Sequence, residues 1–185
     1  VPIPFASCLP ILASLTLLGM LVGWMAAAGS HCRSPFHFGS ALALGFGMSL
    51  LWVSSYQYLY NVPMLNSPHL NYSSFLLWGT GLCAVVGVNR KLETIVVPVL
   101  ARSTLLWLLY LVALFVYEYI GYEMLQIHEV SKGLDHPPMF LGLIHGPASM
   151  KAFYLTAGLL VVWIDQAYRA SRLGLSRRQM PLQRV

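Results

Sequence analysis

Charge is what this sequence has least of. Only 9% of its 185 residues are Asp, Glu, Lys or Arg, where a soluble domain of this size carries about a quarter. So few charges cannot cover a water-facing surface. That excludes a sizeable soluble domain and makes lipid the solvent for much of the chain. Cysteine is scarce as well: Cys8, Cys32 and Cys83 are widely separated and follow neither a CxxC nor a zinc spacing. Cys83 falls inside an apolar run, where a thiol acts as a small hydrophobe, and Cys32 beside Arg33 reads as a plain juxtamembrane cysteine. The catalytic signatures are missing too. There is no Walker A loop, GxSxG elbow, HExxH pair or dinucleotide glycine fingerprint, and no aspartate-rich phosphate-transfer motif. No positive n-region precedes the first apolar stretch, so a cleavable signal peptide is not expected. The +5 formal charge comes with no aromatic-interleaved basic patch beyond the tail from Arg169 to Arg184. It reads as anchoring at the cytoplasmic face of a membrane, with no nucleic-acid partner.

What the chain does have is apolar length. It is 57% hydrophobic, with a mean hydropathy of +0.67, and about 20 apolar residues suffice to cross a bilayer as a helix. Five runs qualify, near Leu9–Gly29, Phe38–Tyr60, Ser74–Asn89, Thr94–Gly121 and Pro147–Tyr168. Pro2, Pro4 and Pro10 stay at or before the first start, where proline is tolerated. The fourth run is the longest and should tilt or protrude. The expected fold is an all-α integral membrane protein: a bundle of about five transmembrane helices occupying residues 1–170 as one domain, with a basic cytoplasmic tail over 171–185. His136-Pro137-Pro138 and His145-Gly146-Pro147 bracket a short apolar piece, Met139–Ile144. It is too short to span and reads as a re-entrant or interfacial segment before the last helix.

Charge then orients the bundle. With the third span ending inside, nine basic residues fall on the cytoplasmic side, from Arg33 through Arg90, Lys91 and Arg102 to Arg169, Arg172, Arg177, Arg178 and Arg184. Only Lys132 and Lys151 fall on the other. The bias predicts N-terminus out and C-terminus in, and puts the acid-rich stretch Glu118, Glu123, Glu129, Asp135 on the outer face. Trp52, Tyr56, Tyr58, Tyr60, Tyr72, Trp78, Tyr117, Tyr119 and Tyr122 gather toward that boundary as an aromatic belt would, with Trp163 and Tyr168 at the inner one. Small-residue stripes predict close helix packing: Gly19 with Gly23, Gly39 with Ala43 and Gly47, and Gly79 with Cys83 and Gly87.

Candidate sites follow from the polar residues. On the outer side, Glu118, Tyr122, Glu123, His128, Glu129, Asp135 and Lys151 form a candidate ligand or docking surface. The four-residue spacings Glu118–Tyr122 and Tyr119–Glu123 let carboxylate and phenol share helical faces. Lys151 is placed to pair with Glu118 or Glu123, or to snorkel to the surface. His69, His128, His136 and His145 supply the atoms for a metal or haem at the outer mouth, although their spacing matches no ligand motif and none lies near a span centre. His31 and His37 lie in the inner loop. At the inner end, Arg102, Asp165 and Arg169 are expected to form a structural ion pair, either Asp165 with Arg169 at i+4 or Asp165 with Arg102 between helices. Asn71-Tyr72-Ser73 is an N-glycosylation sequon on the outer side.

The last four spans have Asn89-Arg90-Lys91 ahead of Val97-Pro98 and an Ala167-Tyr168-Arg169 exit. In layout they resemble lysosome-associated tetraspan membrane proteins. The added first span and the missing PPxY-type tail set the chain apart, and no site is carried over. The leading expectation is a non-catalytic accessory, assembly or scaffold subunit of a larger membrane complex, with lipid and other membrane subunits as partners. A redox or ligand-binding subunit holding haem, metal or quinone at the outer mouth is the alternative. A small-solute or lipid transporter using Lys151 and Glu123 comes third.

Overall fold

A computed structural model describes residues 35–95, 98–131, 137–139, 142–144 and 146–178. It also describes six helical positions of the first apolar run, Ala13, Thr16, Leu17, Gly19, Met20 and Trp24. Most of the expected first span, and His31, Cys32, Lys132, Asp135, His136 and His145, lie outside the described residues.

The described chain is helical: α1 (Pro35–Tyr56), α2 (Tyr72–Leu92), α3 (Val99–Tyr119) and α4 (Ala148–Arg178), with a 3-10 turn at Pro63–Leu65 and a π-helical turn at Ile120–Met124. Three of these are long and apolar enough to cross a membrane: α2, α3 continued to Met124, and α4 as far as Ser171. Among the described residues the number meeting that requirement is therefore three, where the sequence led us to expect about five. The last helix continues to Arg178, into the stretch 171–185 expected as a basic tail.

The boundaries have local causes. Asn71 caps α2 by accepting from the Ser74 amide at 3.0 Å, and Arg90 and Lys91 in its last turn sit where the helix dipole favours cations. Pro98 precedes α3 and cannot extend a helix backward. Hydroxyls inside the apolar helices bond their own backbone: Ser55 to the Leu51 carbonyl at 2.6 Å, Thr80 to Leu76 at 2.8 Å, Thr156 to Ala152 at 2.7 Å. That is how such residues satisfy themselves where water is absent.

α1 and α2 make the closest pair, because Ala41, Gly45 and Ser49 present a flat stripe to Gly79 and Cys83. A Cβ on Gly45 would sit 2.8 Å from the Cys83 nitrogen and the Gly79 oxygen, so nothing larger than hydrogen fits. Ser49 is buried there and donates to the Phe75 carbonyl at 2.7 Å. The stripe expected on this helix was Gly39–Ala43–Gly47. It points the other way: Gly39 and Gly47 meet nothing within 4 Å, and all three are exposed. The two stripes differ by two residues, about 200° around a helix, so they occupy nearly opposite faces.

α3 buries one narrow line, Leu106, Tyr110 and Leu114. Much of its remaining circumference is exposed, with Leu100 at 80% and Val112 at 61%. A helix apolar all round with one thin packed seam suits lipid contact, since water would penalise so large an apolar surface.

Candidate functional site

The two ends of the bundle handle polarity in opposite ways. At one end, charges from three helices are joined. Arg90 and Asp165 are 5% and 0% exposed and pair at 2.5 Å, and Arg90 also donates to Ser40 on α1 at 3.0 Å. Asp165 accepts from Arg169 at 3.0 Å. Arg169 in turn grips both oxygens of Glu93 at 2.7 and 2.8 Å, and Asn89 donates to the same carboxylate at 3.2 Å. Arg102 on α3 lies 3.8 Å from Glu93. Of the expected interactions, Asp165–Arg169 is present. The interhelical partner of Asp165, however, is Arg90, and Arg102 faces Glu93 instead. Glu93 and Arg90 were missed as a pair of hubs. The signal was available, since Glu93 is the one acid in a basic neighbourhood and sits three residues after Arg90.

At the other end lies an aromatic core. Trp52 stacks on Phe153 with ring centroids 3.8 Å apart, and Trp78 meets Tyr154 edge-on at 4.8 Å. The Trp52 indole donates to the Tyr58 hydroxyl at 2.7 Å, and the Tyr58 and Tyr154 hydroxyls share a hydrogen bond at 3.1 Å. Of the expected aromatic belt, Tyr56 and Tyr58 are buried in this cluster beside Tyr110 and Tyr154, while Trp52, Tyr60, Trp78, Tyr117 and Tyr122 are partly buried and Tyr72 and Tyr119 face outward. Burial pushes the Tyr58 and Tyr60 phenols upward from their usual range, so both stay protonated at physiological pH.

Loops fasten this end. Tyr60 and Glu129 form an antiparallel bridge, with Asn61 N–H donating to the His128 carbonyl at 3.0 Å and Val130 N–H to Leu59 at 2.7 Å. Asn61 and Asn66 side chains close the gaps through further backbone bonds. Asn71 of the sequon is 3% exposed and its amide donates to the Tyr58 carbonyl at 3.4 Å, so its side chain works as a cap and a loop fastener. Leu143 and Ile144 of the expected re-entrant piece plug into the aromatic core. They fold back on Met139 through Gly142, which takes a positive φ of 81°.

The outer candidates are scattered by this packing. Glu129 is buried and its carboxylate is engaged by Ser131, with the Leu59 amide at 3.4 Å. It is therefore not part of an open docking face. Glu123 is exposed. His128 stacks on Tyr122 at 5.0 Å, and His69 is exposed. With His136, His145 and Asp135 outside the described residues, no cluster of three or more metal-ligating side chains forms among the described ones. The Lys151 ammonium donates to the Pro137 carbonyl, and neither expected partner, Glu118 nor Glu123, reaches it.

Glu118 is the exception. It lines a crevice of about 390 Å³ between α2 and α3, walled by Leu77, Leu82, Val85, Leu106, Leu109 and Ala113. It also lines a second, smaller space of about 60 Å³ that reaches Tyr122 and Glu129. Tyr60, Tyr117 and Tyr154 border both. Among the described residues, Glu118 has no hydrogen-bond or ion-pair partner for its carboxyl. The π turn comes directly after it, with the Leu125 amide bonding back five residues to Ile120 at 2.9 Å. Such turns recur at functional sites because they redirect side chains within a helix. Here Tyr122 and Gly121 are turned inward beside Glu118 while Tyr119 and Glu123 stay outside.

No family model, curated protein or solved structure matches this chain. The tetraspan likeness is therefore one of span layout alone.

Proposed function

We propose that this chain is a multi-pass membrane protein that binds an amphipathic small molecule, its apolar body in the crevice between α2 and α3 and its polar head at Glu118. One observation carries the reading. A carboxyl without a partner closes the end of an apolar crevice of about 390 Å³, large enough for a substantial part of a small organic ligand. A carboxylate withdrawn from water costs several kcal/mol unless something compensates it, and both fully buried acids of the described chain, Asp165 and Glu129, have their compensation. The basic end then faces the cytoplasm, by the excess of Arg and Lys there, and Glu118 lies toward the opposite face.

Gly81 borders the crevice, and a Cβ there meets nothing within 4 Å. Gly81→Phe therefore sets a ring at the crevice from a position with room for its Cβ, and an unchanged thermal midpoint in detergent checks that the variant is folded. Native mass spectrometry of protein released from mild detergent should find a bound amphiphile on the natural chain and little or none on Gly81→Phe. Equal occupancy of both would overturn the crevice as the site.

A second reading, the membrane-complex subunit, keeps one specific support. Gly39, Ala43 and Gly47 form a small-residue stripe that faces away from α2, as a partner helix would require. The same mass measurement reports it, through a stoichiometric partner lost in Gly47→Leu.

A further inference from the structure

The crevice reading leaves the head group open, and the site's own charges narrow it. Among the described residues, no Lys, Arg or His lines either cavity, while Glu118 lines both and Glu129 the outer one. An anionic head, whether phosphate or carboxylate, would meet like charge and no cation. A neutral hydroxyl would find few donors: of the four phenols that border the crevice, three are already committed and Tyr117 alone is not. Tyr60 is bonded to Ser74 at 2.7 Å, Tyr154 to Tyr58 at 3.1 Å, and Tyr110 to the Tyr154 carbonyl at 2.5 Å. What remains in the crevice is the Glu118 carboxylate together with the Tyr117 phenol, set among aromatic rings that include Trp78. Rings around a carboxylate form the chemical environment that holds ammonium groups, through ring quadrupole and ion pairing together.

We infer that the crevice takes a lipophilic amine, a single ammonium head on an apolar body, with Glu118 as its counter-ion. The inference rests on the crevice reading above. Phospholipid heads bearing an ammonium are disfavoured, because their phosphate has no basic partner here.

The test uses the full chain in neutral maltoside micelles and four probes with the same tail: dodecylammonium, dodecanol, dodecanoate and dodecylphosphocholine. Binding is read by isothermal titration and by thermal shift. The ammonium should bind about tenfold or more tighter than any of the others, as an ion pair with aromatic contacts in a low-dielectric site requires. E118Q should erase that preference, and an unchanged or higher thermal midpoint without any probe shows that the variant is folded. Equal or tighter binding of dodecanol, dodecanoate or dodecylphosphocholine would overturn the amine inference and leave the crevice reading standing. So would an ammonium preference that survives E118Q. If none of the four binds, both readings fall.

Discussion

Asp165 and Glu118 are two acids at opposite ends of one bundle, and they are treated differently by their surroundings. Asp165 is wholly buried and gripped by two arginines at 2.5 and 3.0 Å, which are themselves tied to Glu93 and Ser40. Glu118 is half-buried among phenols and apolar side chains with no such partner. A charge whose task is to hold helices together is completed within the fold. A charge left incomplete beside a crevice is the one available to something outside it. The contrast separates architecture from binding on geometry, with no need of a sequence motif.

Removing Asp165 should break the comparison most severely. Asp165→Ala strands Arg90 in a buried position and should cost about 3–5 kcal/mol, seen as a large drop in thermal midpoint in detergent. The double change Arg90→Leu with Asp165→Leu should recover most of the loss, since an apolar pair of similar volume needs no compensation. The helix contact beneath comes next. Gly45→Ala drives a methyl into the α2 backbone and should destabilise by about 1–3 kcal/mol. Gly47→Ala, two residues away on the open face, should instead stabilise by about 0.5–1 kcal/mol through helix propensity. A chemical-denaturation pair of the two variants reads this directly, and similar values would refute the assigned face. Asn71→Ala removes both the cap and a loop bond, and should cost about 1 kcal/mol. The smallest loss of all should be at Glu118→Gln, which should leave stability unchanged or raise it, because it removes a charge that the fold does not compensate. A large loss there would mean that Glu118 is structural and would collapse the distinction between the two acids.

Much of the helical layout was legible in the sequence, because apolar length and proline or asparagine boundaries act locally. What failed did so for lack of a facing signal. In α1, Gly39–Ala43–Gly47 and Ala41–Gly45–Ser49 are both small stripes, and an apolar helix has no polar side to reveal which one packs. Ser49 was overlooked because its polarity disguises a buried residue satisfied by the Phe75 carbonyl. The tyrosines near the helix ends suit either a belt or a core, and only their mutual hydrogen bonds decide for Tyr58 and Tyr154. Glu118 was named, but grouped with Glu129, Lys151 and the histidines on the strength of shared sidedness. Position along the bundle axis is written in the sequence; position around it is not. The Arg90–Asp165 pair, 75 residues apart, has no local trace at all.

The π turn at Ile120–Met124 also makes chain length part of the design. It holds one residue more than the same stretch of α-helix would, so it behaves like an insertion that the fold has kept in frame. Removing a single residue there, for instance Gly121, would let α3 run on in regular α register, with the chain beyond still in frame and Tyr122 drawn into the place of Gly121. The loop would still be long enough to connect. Tyr122 would nonetheless leave its place beside Glu118, and His128 would lose the ring it stacks on. A shortening that looks harmless on a hydropathy plot would thus unmake the crevice's polar end while sparing every helix around it.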